Sequence, residues 1–261
     1  MEINTINKEV CNLTFNSSNP KHLVIDNLFD PWFIEECSKE FKKIKEEDFI
    51  KYQNPFFENG KYALNQLDKM PPKIQQLFSF IHSTEFIDLV REITGMSDLE
   101  VDEKRWGGGL HMTKEKGYLA VHKDFNILPT SYHDERQMLR CINLIGYLNP
   151  DWEKKYGGEL EFWDESGEKS LVTIEPKFNR WVLFDTRNNY HGHPYPYRGE
   201  SPRISIASYY YIRTNVVEEK WASTEYLRLP WMQDSEEYQR LRKERADHKL
   251  RYSQILEKPK D

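Results

Sequence analysis

From residue 99 to residue 214 the apolar residues recur mostly at every second position, and turn-forming residues interrupt them at short intervals. Alternate residues of an extended chain point to opposite faces, so this period specifies strands with one face in and one face out. Runs at 99–105, 109–113, 119–122, 140–148, 158–163, 171–174, 180–185, 190–193 and 203–211 are the predicted strands. Many short strands at this spacing predict a sandwich or a closed barrel.

The preceding stretch has a different period. A short strand is predicted over 22–25, and Asp30 followed by Pro31 opens a helix whose apolar stripe is Phe33, Cys37, Phe41 and Ile44. Ile74, Leu77, Phe78 and Ile81 mark a second helix. Phe86, Leu89, Val90 and Ile93 mark a third, with Thr84 as its cap and Gly95 as its stop. Residues 47–70 have no clear period and read as a long loop of the kind that lids a binding site. Beyond 214 the chain turns polar, and 234–258 reads as a charged, solvated helix with Tyr238, Leu241, Ala246, Leu250 and Ile255 as a broken apolar stripe. The expected fold class is mainly β with flanking helices (α+β). Residues 1–98 form a lead-in and supporting helices, 99–214 the core, and 215–261 an extension, all in one structural domain.

Composition narrows the function classes. The net charge of -6 gives no general attraction to nucleic acid or to an anionic membrane. Cys11, Cys37 and Cys141 are odd in number and widely spaced, which suits neither a disulfide framework nor a cysteine zinc site. No apolar run approaches the ~20 residues of a membrane span, and residues 1–19 lack the apolar segment of a signal peptide. The expected location is cytoplasmic. Oligomeric state is not readable.

Chemistry concentrates in the β region. Two histidines and one carboxylate on one face, with open positions opposite, suit non-haem iron(II). His-x-Asp on a strand turns both side chains to the same side. Two acidic runs of this kind occur, His122-Lys123-Asp124 and His133-Asp134-Glu135. The first ends the alternating run from Gly117, with Tyr118, Ala120, His122 and Asp124 on one face, whereas the second sits among charges and reads as a solvated loop. A third ligand from a later strand is His191 or His193, two apart, and spacing does not choose between them; His111 reads as a core histidine or one behind the ligands. Arg203 follows His191 by 12 residues and shares a face with Ser205. An arginine fork is the natural partner for the distal carboxylate of 2-oxoglutarate, a dianion that also chelates iron. A zinc hydrolase would not need Arg203, and no His-Glu-x-x-His helix is present.

With these residues in place, the stretch from Trp106 to Thr214 resembles the prolyl 4-hydroxylase-like family of iron(II)/2-oxoglutarate dioxygenases. The resemblance is carried by Gly107-Gly108-Gly109-Leu110-His111, Gly117-Tyr118-Leu119 and His122-Lys123-Asp124-Phe125-Asn126. It continues through Tyr147-Leu148-Asn149-Pro150-Asp151-Trp152, Gly157-Gly158-Glu159-Leu160, Pro176-Lys177-Phe178-Asn179-Arg180, His191-Gly192-His193-Pro194 and Arg203-Ile204-Ser205. It implies a double-stranded β-helix, or jelly roll, with His122, Asp124 and His191 as the metal ligands and Arg203 on the distal carboxylate. Tyr147 matches a tyrosine that bonds the same carboxylate in EGL-nine-type prolyl hydroxylases, and Ser205 adds a hydroxyl. Arg140 matches a position lining the active site, and Tyr209 stands where relatives can carry Trp, so both are expected on the substrate side. The implied cofactors are Fe(II), 2-oxoglutarate, O2 and ascorbate. The implied reaction is hydroxylation of an unactivated C–H bond in a peptidyl proline, a free amino acid or another small metabolite. Related small halogenases replace the metal-binding acid with Gly or Ala, so Asp124 favours hydroxylation over halogenation. Desaturation, epimerisation and a non-catalytic metal-binding jelly-roll module are the alternatives.

Overall fold

The computed structural model describes residues 15, 19–128, 136–187, 189–215 and 224–244. In chain order its elements are β1 (His22–Asp26), α1 (Pro31–Phe41), β2 (Ile50–Asn54), β3 (Glu58–Leu64), α2 (Pro72–Ile81), α3 (Thr84–Thr94) and β4 (Leu99–Val101). Then follow β5 (Gly109–Lys123), β6 (Gln137–Tyr147), β7 (Leu160–Trp163), β8 (Ser170–Ile174), β9 (Arg180–Asp185), β10 (Tyr190–His193), β11 (Arg203–Thr214) and β12 (Glu225–Tyr226). The sheet runs β1-β9-β6-β11-β5-β10-β7-β8, with β3 on β5, β2 on β3, β4 on β11 and β12 on β5, and every pair is antiparallel. This is the jelly-roll class with helices on one side that the period-two segment predicts.

β5 curls the sheet. The sequence predicts two strands there, 109–113 and 119–122, but the structure has one strand bent at Lys116, whose φ is +63°. At the bend a Cβ on Gly117 would lie 2.6 Å from Thr113 Cγ2, so the chain can fold on itself only without one. The bend changes partners: residues 109–113 pair with β11, and His122 and Leu119 pair with β10.

Alternation then sorts the two faces. Ile204, Ile206 and Tyr210 of β11, Ile142 and Leu144 of β6, Trp181 and Leu183 of β9, and Leu110 and Met112 of β5 pack in one cluster with the apolar stripes of α1, α2 and α3. Phe29 meets Trp181 edge to face, 4.8 Å between centroids at 72°, a pairing worth about 0.5–1.5 kcal/mol beyond area burial. Tyr210 donates its hydroxyl to the Ile81 carbonyl at 2.9 Å, tying β11 to the end of α2. The opposite face carries the polar residues and encloses a cavity.

Asp30 caps α1 as expected, its Oδ1 accepting from the Trp32 N–H at 2.8 Å. Four details differ from the sequence expectation. α1 ends at Phe41, short of Ile44. The cap of α3 is Ser83, which accepts from the Phe86 N–H, and Thr84 is already helical. The run at 99–105 is a strand only over Leu99–Val101. The predicted loop 47–70 contains the β2–β3 hairpin, and β3 pairs with β5 along the edge of the cavity. Of the charged helix expected over 234–258, residues 236–244 are helical, 234–235 are not, and 245–258, like the His133-Asp134-Glu135 run, lie outside the described residues. Among the described residues, no helix is long and apolar enough to cross a membrane.

Candidate metal centre

β5 and β10 build the centre together. His191 and His122 face each other in register, so their side chains leave the sheet on the same side, with ring centroids 4.5 Å apart. Asp124 lies just past the end of β5. Its Oδ1 is 3.5 Å from His122 Nε2 and its Oδ2 is 3.7 Å from His191 Nε2. One ligand atom from each of the three residues lies within 4.8 Å of the others, and all three residues are buried. Each imidazole is aimed by its far nitrogen: His122 Nδ1 meets the Ala120 carbonyl at 2.9 Å and His191 Nδ1 meets the Asn189 carbonyl at 3.2 Å. That leaves both Nε2 atoms, basic and oriented, toward Asp124, as metal-ligating histidines require.

The protonation states agree. Burial pulls the His191 pKa down to about 4, with the His122 charge acting in the same direction. Burial pushes the Asp124 carboxyl up, but the hydrogen bond from His122 and the charges of His191, Arg140 and His122 outweigh it and hold the group well below the usual carboxylate range. A neutral imidazole and an ionised carboxylate are the forms that bind a metal. Hard oxygen, two imidazoles and no thiolate fit iron(II).

A cavity of about 570 Å³ opens beside these ligands. Its floor is made of cross-strand rows: Lys61, Thr113 and Arg203 in one, Ala63, His111 and Ser205 in the next, with Tyr147 paired to Ser205 behind the wall. Arg203 is 5% exposed, and among the described residues no carboxylate lies within 4.0 Å of its guanidinium. Its Nε donates to the Gly158 carbonyl at 2.6 Å, which leaves the terminal fork held only by 3.5 Å contacts to Ser205 Oγ and Tyr147 Oη. Burial lowers its pKa, the mark of a cation short of counter-charge. A buried cation of this kind fits a carboxylate ligand. Gly158 makes the arrangement possible: its φ is +80°, and a Cβ there would meet Arg203 Cδ at 2.9 Å.

On the other side of the ligands, Arg140 is stacked between Phe125 and Tyr209, each ring centroid 3.6 Å from its guanidinium carbon. Its Nε and Nη2 bond the Tyr211 hydroxyl, and Nη2 also donates to the Trp106 carbonyl at 2.6 Å. Among the described residues Nη1 is buried without a hydrogen-bond partner, and it lies 3.9 Å from Asp124 Oδ1. Tyr209 lines the cavity, its pKa raised well above the ordinary value by burial and by the Asp124 carboxylate.

The residues expected from sequence therefore gather around one cavity: His122, Asp124 and His191 at the centre, Arg203 and Ser205 at one end, Arg140 and Tyr209 at the other; Tyr147 does not line it and touches Arg203 from behind. His111 lines the cavity rather than sitting in the core, and burial takes its pKa down to about 3. Lys61, Tyr52 and Asn143 also line it and carried no sequence signal of their own.

Residues 108–211 match the family model described as the 2OG-Fe(II) oxygenase superfamily. Over 75 residues the chain is 37% identical to Egl nine homolog 1 of Rattus norvegicus and of Homo sapiens, which is 28% of this chain but only 21% and 16% of those relatives. The chain thus spans about a fifth of their length. Among solved structures, a Pseudomonas putida prolyl-4-hydroxylase aligns with a TM-score of 0.55 at 14% identity, covering 78% of this chain and 99% of that one. A Trichoplax adhaerens prolyl hydroxylase, solved with a hypoxia inducible factor oxygen degradation domain peptide fragment, aligns at 0.54 and 19%, covering 79% and 90%. At these identities the structures speak for the fold alone.

Fold, triad and the matched segment 108–211 are similar to those of 2-oxoglutarate/iron(II) oxygenases. Within that superfamily the chain is similar, over 75 residues, to Egl nine homolog 1.

Proposed function

We propose that this chain hydroxylates an unactivated C–H bond, using iron(II), 2-oxoglutarate and O2. The observation that carries the reading is the pairing of a His122–Asp124–His191 ligand set with a buried, carboxylate-free Arg203 across one cavity. The chemistry supplied when metal and keto acid are bound is oxidation of the C–H bond by O2, coupled to decarboxylation of 2-oxoglutarate to succinate.

The protein's part is placement. His122, Asp124 and His191 offer three ligand atoms on one side and leave the cavity side open. The Arg203 fork, with Ser205 and Tyr147 beside it, pairs with the distal carboxylate and so fixes which end of the keto diacid turns to the metal. Arg140 holds no hydrogen bond at Nη1 and is locked by two rings, so it presents a rigid donor to a carbonyl or carboxylate of the substrate close to the reacting carbon. Tyr209 bounds the same place. Retention of Asp124 supports hydroxylation over halogenation, because its oxygen takes the position that a halide would need.

The substrate class is a peptidyl proline, a free amino acid or another small metabolite. The test is succinate release by the iron(II)-loaded protein across a panel of prolyl peptides, amino acids and nucleotides, with N-oxalylglycine as inhibitor and His122→Ala as control. A metal-loaded protein that fails to bind 2-oxoglutarate would remove the reading.

A further inference from the structure

His193 lies two residues beyond His191 on β10, faces the same way and lines the cavity, yet it is not one of the three clustered ligands. The register shifts between them, so that His193 pairs with Leu119 and not with the residue an unbroken ladder would give. Gly192 lets β10 close on β5 there, since a Cβ would meet the Leu119 carbonyl at 2.8 Å.

Among the described residues, three other imidazoles have partners. His82 Nε2 meets Ser208 Oγ at 2.8 Å, and His122 and His191 each engage a backbone carbonyl. His193 is 6% exposed, and its Nδ1 is buried with no hydrogen bond among the described residues. A buried polar atom left unpaired costs about 1–3 kcal/mol, and native structures rarely tolerate one without a ligand or an ordered water to meet it. Arg203, Lys61, His122 and His111 lie close enough to act on His193 electrostatically. His193 lines the same cavity as the metal-centre histidines and the cation assigned to the distal carboxylate, the space a keto diacid must occupy.

We infer that His193 is a further binding residue for 2-oxoglutarate, hydrogen-bonding the keto diacid between the metal and Arg203. The inference rests on the oxygenase reading and deepens it. The role differs from those of its neighbours: the triad holds metal, Arg203 neutralises charge, and His193 sets the height of the chain over the β10 wall.

The test uses full-length protein loaded with Mn(II) under anaerobic conditions, so that binding is read without turnover. Calorimetry gives the Mn(II) affinity and, separately, the 2-oxoglutarate affinity of wild type, His193→Leu, His193→Gln and Arg203→Met. The expected result is an unchanged Mn(II) affinity for His193→Leu, a 2-oxoglutarate affinity about tenfold weaker, and recovery of most of that loss in His193→Gln. If His193→Leu does not fold, His193→Phe keeps the ring volume and removes both nitrogens. Wild-type affinity in a folded His193→Leu or His193→Phe overturns the inference and makes the nitrogen a site for water. If wild type itself fails to bind 2-oxoglutarate, the oxygenase reading fails. If wild type binds, Arg203→Met does not and His193→Leu does, only the His193 role is lost.

Discussion

Replacing Arg203 by Met should weaken co-substrate binding strongly while leaving the ligand-free protein about as stable as before. The side chain keeps its apolar stem but loses the guanidinium head and its charge. Two effects act on the ligand-free fold. The buried cation, with no described carboxylate within 4.0 Å, is removed, and its desolvation cost goes with it. The Gly158 carbonyl, which accepts from Arg203 Nε at 2.6 Å, loses that donor at a cost of about 1–3 kcal/mol. The terms oppose, so the net change should stay within about 2 kcal/mol of wild type, against the 3–5 kcal/mol lost when one partner of a satisfied buried ion pair is removed. Binding behaves otherwise. Truncating one side of a buried carboxylate–guanidinium pair costs about 2–5 kcal/mol, which is a loss of roughly 30- to 5,000-fold in 2-oxoglutarate affinity. Urea unfolding of the metal-free protein and calorimetric titration of the Mn(II)-loaded protein read the two effects separately. Ligand-linked stabilisation, which grows with the ratio of free ligand to Kd, should be present in wild type and nearly absent in the variant. A loss above 3 kcal/mol without ligand would mean that Arg203 is already satisfied by the fold. Unchanged affinity would mean that it does not hold the co-substrate. Either result refutes the argument.

Gly158→Ala should reproduce part of the binding defect through backbone strain, because a side chain at φ +80° would sit 2.9 Å from Arg203 Cδ; a loss of at least 1 kcal/mol in urea, with weaker 2-oxoglutarate binding, is expected, and a neutral variant would show that the loop relaxes freely. Asn149→Leu should cost about 2–4 kcal/mol and disturb Arg203, since Asn149 Oδ1 accepts from the Ile204 N–H at 2.6 Å and its Nδ2 donates to the Pro176 carbonyl at 2.9 Å, two buried groups that Leu would strand; an unfolding free energy within 0.5 kcal/mol of wild type would contradict this. Metal-free protein should lose stability as pH falls below 6.5. His191 and His111 have folded pKa values of about 4 and about 3, so the unfolded chain takes up protons first and the loss accumulates down to those values, reaching about 3 kcal/mol for His191 alone. The Asp124 contribution, from a lowered carboxylate pKa, is lost only below about pH 4. Urea midpoints measured from pH 7.5 to 4.5 without metal would expose a flat profile, which would contradict the buried neutral imidazoles.

The face of a strand is legible in sequence, but the strand's neighbours are not. His122 and Asp124 could be read as sharing a side because alternation is local, and the same logic made Arg203 and Ser205 a pair. The choice between His191 and His193 was beyond it. Both face the cavity, and what separates them is the pairing of His191 with His122 and the register shift one residue later, which are facts about β5 and not about β10. The β2–β3 hairpin escaped for a related reason. One face of β3 borders a polar cavity through Lys61 and Ala63, and on the other only Tyr62 and Leu64 join the apolar cluster, so the strand carries too little hydrophobic alternation to be read although it is ordered. His111 looked like a core residue because a histidine amid apolar neighbours usually is one.

The same geometry explains why the site tolerates so many polar groups in a buried place. β3, β5, β6 and β11 each contribute apolar alternates to the helix-facing cluster and the intervening residues to the cavity. Ile204 lies between Arg203 and Ser205, Met112 between His111 and Thr113, and Leu144 between Asn143 and Ile145, so the fold cannot be assembled without bringing the functional groups to one surface. A one-residue slip of β11 against β5 would turn Arg203 into the apolar cluster and Ile204 into the cavity. The bend at Lys116–Gly117 fixes where β5 stops serving β11 and starts serving β10, and with it the separation between the metal ligands and Arg203. On the proposed reading, residues far from any chemistry would thereby set the length of keto diacid that fits, so a lengthened β5 bend should lower 2-oxoglutarate affinity before it lowers metal affinity.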